Sequence, residues 1–296
     1  MRKYLIIVLQ FAFAAAPAQT SGLGPFNVYN VYSSSQLKNA DKFIDSLRPL
    51  LELTKEDTAK INVLFLIADT YRRQIKRDSS FWYNQKALNL SQKLNYVKGA
   101  FDARYRLATV FRATGNYPQA LQLTLTNLPI AEQYKDTLRL YFTLMDLCGI
   151  NNDMNDFVRQ LAYTRSLQQL TLSGYFKRHS DGRNMQQLRL PYLINMALAF
   201  DGLDQKDSAL YYLQHYYTIA LSLKDTAALT VATGNLSDIL LKLGRSKEAH
   251  SYYYMAIKYA TTSDRPYWIA NSYLGWQKYV NKKINLIQPF IMPSSP

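Results

Sequence analysis

The sequence predicts an all-α protein, a stack of about five antiparallel helix pairs with further helices at the ends. Three observations predict it. Glycine (11) and proline (10) are scarce in 296 residues, roughly half of average usage, which argues against a turn-rich β fold and for long helices. A tripeptide of charged residue, Asp and Thr or Ser recurs at Glu56-Asp57-Thr58, Arg77-Asp78-Ser79, Lys135-Asp136-Thr137, Lys206-Asp207-Ser208 and Lys224-Asp225-Thr226. Each precedes an apolar-periodic stretch, as helix N-caps do, because their side-chain oxygens accept the free N–H groups of the first turn. The spacing is regular: 79 residues from Asp57 to Asp136, 89 from Asp136 to Asp225 and 39 from Asp225 to Asp264. The unit is therefore about 40 residues, counted twice in the longer gaps.

In chain order, residues 1–18 read as a secretory signal peptide. Arg2 and Lys3 form a charged start, Tyr4 to Ala16 an apolar run of 13, and Ala16-Pro17-Ala18 a small-x-small cleavage site. That run is short of the ~20 residues a membrane span needs, and no later segment is long and uncharged enough, so the mature chain is expected to lack a transmembrane segment. Export, most simply to the periplasm, follows. Residues 19–35 are a flexible polar lead, 36–285 the helical repeat domain and 286–296 a C-terminal tail. Gln36 to Leu53 forms a first helix with Leu37, Phe43, Ile44, Leu47 and Leu51 on one face.

The helix pairs are read from paired patterns. The first runs Ile67-Ala68, Tyr71, a turn near Arg77, Ser80 and Ala87. The second runs Leu107-Ala108, Phe111, the turn Gly115-Asn116-Tyr117 and Ala120. The third is weaker: Leu144, Cys148, a turn at Asn151-Asn152, Phe157 and Leu161. The fourth runs Met196-Ala197, Phe200, a turn at Asp204, Ala209 and Leu213. The fifth runs Leu236-Ser237, Leu240, Gly244, Ala249, Tyr253 and Ala256. Ser173 to Asn184 reads as a loop inserted between repeats. Pro266 to Tyr279 begins another pair, with Trp268, Leu274 and Trp276, and no second helix follows. An end so bare predicts an imperfect cap by the apolar tail, and either a homo-oligomer through this end or a chain cut short from a longer protein.

These positions resemble the tetratricopeptide repeat. Small residues such as Ala108 and Ala120, or Ser237 and Ala249, let two helices approach closely, and large ones such as Phe111, Leu240 and Tyr253 fill the space between repeats. The resemblance covers residues 58 to about 280. Three features depart from the family: Arg104 and Thr233 stand where it has an aromatic, its terminal proline is missing, and the unit is about 40 residues rather than 34. The resemblance implies a right-handed superhelical solenoid, and the long repeats look like the exported sensor segments of Bacteroidetes-type regulators. A non-catalytic protein- or peptide-binding scaffold, the sensing part of a truncated regulator, is the expected function. The alternative is carbohydrate capture in glycan uptake, although the helical lipoproteins of that class carry a lipidated cysteine that this chain lacks.

Chemistry is sparse. One cysteine, Cys148, excludes an internal disulfide and a multi-cysteine metal centre, and its helix-packing position points to a buried apolar role. His179, His215 and His250 share no repeat position. No nucleophile elbow, zinc-protease, Walker or dinucleotide motif occurs, so no enzyme, cofactor or metal is expected. The charge is +14, and +12 without Arg2 and Lys3, with 33 basic against 21 acidic residues. Export argues against nucleic acid, and the charge then reads as a solvated basic surface or as a match for an acidic partner. The tyrosine runs at 211–212, 216–217 and 252–254 must be partly exposed, because consecutive helical residues point in different directions.

In the family the resemblance names, first helices line the concave groove. That register puts Arg72, Arg73, Arg106 and Arg112 on the groove face with Asp69 and Thr109. The later units add Asn195, Asp201, Asn235, Asp238 and Lys242. The family's carboxylate clamp needs asparagines where Asp69 and Thr109 stand, so it does not carry over. The four arginines read as a forked-donor cluster for carboxylates or phosphates.

Overall fold

The computed structural model describes residues 34–173 and 185–262, together with 269–270, 272–277 and 279–281, with side chains from residue 39. The signal segment, most of the lead, the inserted loop from 174, Pro266, Trp268 and the tail from 282 lie outside the described residues. Eleven helices are complete: α1 Ser34–Leu53, α2 Thr58–Arg73, α3 Arg77–Lys93, α4 Val97–Ala113, α5 Tyr117–Gln133, α6 Thr137–Asp153, α7 Phe157–Leu172, α8 Met185–Gly202, α9 Lys206–Leu223, α10 Thr226–Lys242 and α11 Ser246–Thr262. Among the described residues there is no strand. α2 to α11 make the five expected pairs, and further helical residues lie between 269 and 281.

One turn design joins the helices. A single left-handed residue stands in each of eight turns: Ile75, Asn95, Gly115, Lys135, Asn155, then Asp204, Lys224 and Gly244. Within each set the step is 20 residues (75 to 95, 204 to 224), half of the repeat. In the first turn the N–H of Ile75 donates to the Arg72 carbonyl and that of Lys76 to the Tyr71 carbonyl, both at 3.0 Å, and the other seven turns repeat this pair. That is the Schellman arrangement, which satisfies the last carbonyls of a helix and stops it.

Caps start the helices, though not wherever the tripeptide occurs. Asp57, Asp136 and Asp225 cap the first helices α2, α6 and α10, accepting from the N–H groups of Ala59, Arg139 and Ala228 at 2.8, 3.0 and 3.0 Å. Each such cap is worth about 1 kcal/mol. Asp78 and Asp207 are not caps. Lys76 and Gln205, which follow the left-handed turn residues, hold the cap positions of α3 and α9, so both aspartates fall inside the first turn, where their charge still complements the helix dipole. The third turn also differs from expectation. α6 continues to Asp153, and the turn lies at Met154 and Asn155. Asn151 is buried inside the helix, its amide donating to the Leu147 carbonyl at 2.7 Å.

Packing follows the small-and-large pattern. Ala68, Ala108, Cys148, Ala197 and Ser237 on the first helices, and Ser80, Ala120, Ala209 and Ala249 on the second, are all at most 1% exposed. Only small groups let backbones approach so closely. In the third pair Gln160 takes the second position and donates its amide to the Asn195 carbonyl at 3.3 Å. Where the family has an aromatic, Arg104 Nε donates to Asn127 Oδ1 at 2.7 Å, and the Asn127 amide donates to the Phe101 carbonyl. Thr233 at the same position is buried, with its hydroxyl on the Leu229 carbonyl. Cys148 is fully buried and accepts from the Thr164 hydroxyl, and burial pushes its thiol up to about 12.

Each helix packs on its sequence neighbours, and first helices also touch the next first helix, α2 on α4, α4 on α6 and α6 on α8. The first helices therefore lie side by side along one face of a right-handed superhelical solenoid.

Candidate binding groove

Ala68, Ala108, Cys148, Ala197 and Ser237 set the register of the five first helices. Three rungs follow from it. One holds Leu66, Arg106, Asp146, Asn195 and Asn235. The next holds Asp69, Thr109, Gly149, Leu198 and Asp238. The last holds Arg72, Arg112, Asn152, Asp201 and Leu241, with Arg73, Asp153 and Lys242 one residue on. Ion pairs join successive first helices along these positions, between Asp69 and Arg106, Arg112 and Asp153, and Asp201 and Lys242.

The four arginines do not form one open cluster. Three converge on Asp69: Arg72 and Arg73 along α2, with N–O distances of 2.8 and 3.1 Å, and Arg106 from α4 at 3.8 Å. The Arg106 guanidinium also lies over the Phe65 ring, 4.6 Å from its centroid. Burial pushes the Asp69 carboxyl up, but Arg72, Arg106 and Arg73 outweigh it and hold it below the usual carboxylate range. Burial lowers Arg106 in turn, opposed by Asp69 and Asp102. Thr109 is buried and turns its hydroxyl to the Tyr105 carbonyl.

Arg112 crosses to the third pair instead. Its Nε donates to Asp153 Oδ2 at 2.5 Å. The guanidinium lies flat over Gly149, where an added Cβ would come within 2.3 Å of a terminal nitrogen. One turn earlier on α6 is Asp146, buried, with no hydrogen-bond partner for Oδ2 among the described residues. Burial raises its carboxyl to about 7, opposed by Arg112. Neighbouring Tyr105 is raised well above its ordinary value by burial and by the charge of Asp146.

The far half of the groove is built differently. Lys242 of α10 holds Asp201 of α8, with 2.7 Å to one carboxylate oxygen. The amides of Asn195 and Asn235 each donate to the carbonyl four residues back, at 2.8 Å. Asp238 is exposed and accepts a short hydrogen bond from the Tyr253 hydroxyl.

Asp146, Gly149 and Asp153 belong to the third pair, whose pattern is the weakest in the sequence, and none of the three is an expected groove residue. The signal was present: adding 40 to 106, 109 and 113 reaches all three. The exposed aromatics lie elsewhere. Trp82 and Tyr211 sit on the second helices α3 and α9, and Lys86 covers the Trp82 ring at 3.6 Å. Tyr254 is exposed and Tyr216 and Tyr253 are buried, which divides the tyrosine runs as their helical spacing requires. Among the described residues no group of three or more His, Cys, Asp or Glu could hold a metal ion, and no helix is long and apolar enough to cross a membrane.

Residues 33–177 match the family model of the SusR N-terminal TPR domain. Among solved structures the chain is similar to BtubC (BKLC) from P. vanneervenii, with a TM-score of 0.59 and 15% identity over 78% of this chain and 91% of that one. The apo form of RapI gives 0.55 and 17% over 75% of each chain. A Rap protein complexed with competence and sporulation factor gives 0.57 and 15% over 86% of this chain and 73% of that one. At these identities the likeness is one of fold. No curated protein matches the sequence.

Proposed function

Through residues 33–177 this chain belongs to the tetratricopeptide-repeat family, and on that premise we propose that it is a non-catalytic module whose concave face holds an extended segment of a protein or peptide partner. The observation that carries the reading is the bracing of the groove. Asp69–Arg106, Arg112–Asp153 and Lys242–Asp201 each tie two successive first helices together on the face that a ligand would meet. Side chains fixed before binding lose little freedom on binding, which favours affinity. A Rap protein of the same fold, solved with its factor, supports the use of such a solenoid as a receptor.

Near α2 and α4, four guanidiniums face Asp69, Asp153 and Asp146, whose carboxyl burial raises to about 7. The surplus of positive charge favours acidic groups of the partner at that end. The layout of residues 1–18 supports export to the periplasm, and the match to a regulator's N-terminal domain supports a sensing role in signalling.

A photo-crosslinking residue tests the reading. Placed at Asn152 or Leu198 in the groove, it should capture a partner from envelope extract, and placed at Gln122 on an outer face it should not. Capture only from Gln122 would exclude the groove.

A further inference from the structure

Asp69 and Asp238 hold the same position in the first and fifth first helices. In the first, three guanidiniums surround the carboxylate. In the fifth, no cation reaches it among the described residues. Lys242, one turn on, is committed to both oxygens of Asp201. The Tyr253 hydroxyl donates to Asp238 Oδ1 and fixes the carboxylate, leaving Oδ2 toward solvent.

The surroundings differ in the same direction. The position of Phe65, whose ring carries Arg106, is taken by Gly234, where an added Cβ would meet nothing within 4 Å. The position of Leu66 is taken by Asn235. Its amide is bound to the Val231 carbonyl, and its Oδ1 is an unused acceptor among the described residues. Among the described residues the fifth helix thus offers a fixed carboxylate oxygen, an amide oxygen one turn away and open space beside them. The first helix shows what this rung does when a guanidinium is supplied.

We propose that Asp238, Asn235 and the open backbone at Gly234 form a subsite of the groove that accepts an arginine side chain of the bound partner segment. A guanidinium suits it because its forked donors can span two acceptors that a point charge cannot. The inference rests on the groove reading above. It adds a direction: the partner would present acidic groups toward α2 and α4 and an arginine toward α10.

The test is an amide chemical-shift titration of the full chain with N-acetylarginine amide and with N-acetylcitrulline amide, its neutral isostere. The arginine probe should move the amides of Gly234, Asn235 and Asp238, and citrulline should not. In Asp238→Asn, an exposed and nearly isosteric change, the response should weaken at least about fivefold, as expected when a charge-assisted pair becomes neutral. Equal responses to both probes, an undiminished response in Asp238→Asn, or no response at these amides would overturn the subsite. Neither probe needs a protein partner, so this result and the crosslinking result can fail separately.

Discussion

Asp146 keeps a proton that an exposed aspartate would give up. Burial raises its pKa to about 7 against the pull of Arg112, whereas in the unfolded chain it is about 3.9. The folded chain binds the extra proton between those values, so the stability it contributes is full below about pH 4 and is lost as pH rises through 7. Asp69 and Asp136 act oppositely: held below the ordinary value, they stabilise at neutral pH and lose that contribution in acid. Replacing Asp146 by Asn should therefore remove a penalty on the order of 4 kcal/mol at pH 8 and about 1–2 kcal/mol at pH 5. Urea midpoints of both proteins at the two pH values check this, and a gain independent of pH would contradict it. Ile75 is a second test. It is β-branched, 57% exposed and left-handed, with φ of 64°, in a region that disfavours such side chains by about 1–2 kcal/mol. Ile75→Gly should stabilise the fold by up to about 1 kcal/mol, read as a higher urea midpoint.

Between helices, the contact of α4 with α6 depends on a missing side chain. Gly149→Ala would drive a methyl into the Arg112 guanidinium, which can swing aside only by giving up Asp153, and should cost about 1 kcal/mol. In an Arg112→Ala background the same change should cost much less, and a double-mutant cycle reads the difference. The pairs themselves were legible in the sequence, because Ala68, Ala108, Ala197, Ser237 and their partners repeat at a fixed distance. Local chemistry misled where it competed with that period. Asn151-Asn152 looks like a turn by composition, but the 20-residue step puts the turn at Asn155. The tripeptide at Asp78 and Asp207 matches the caps at Asp57 and Asp225, yet it follows a turn that has already chosen Lys76 and Gln205. The groove positions could be read by counting, and their pairing could not. Asp69 with Arg106 and Arg112 with Asp153 join residues far apart in the chain, and which guanidinium reaches which carboxylate depends on side-chain direction.

Taken whole, the repeat domain is nearly one-dimensional, since each helix packs chiefly on its sequence neighbours. Damage should stay local. Ala249→Trp, at a crossing with 0% exposure, should speed hydrogen exchange through α10 and α11 and leave α2 to α5 protected. Uniform loss of protection would mean that the array melts as one unit. The even step between left-handed residues has a further consequence for how such a chain can change length. It gives the molecule a parity. Gaining or losing 40 residues returns every later helix to the same side of the solenoid, whereas 20 would exchange its lining with its outer wall. The interval from Asn155 to Asp204 is 49 residues, one full repeat and nine more, and α8 resumes on the inner side as if nothing had been added. Extra sequence in this architecture is tolerated between helices and quantised within them.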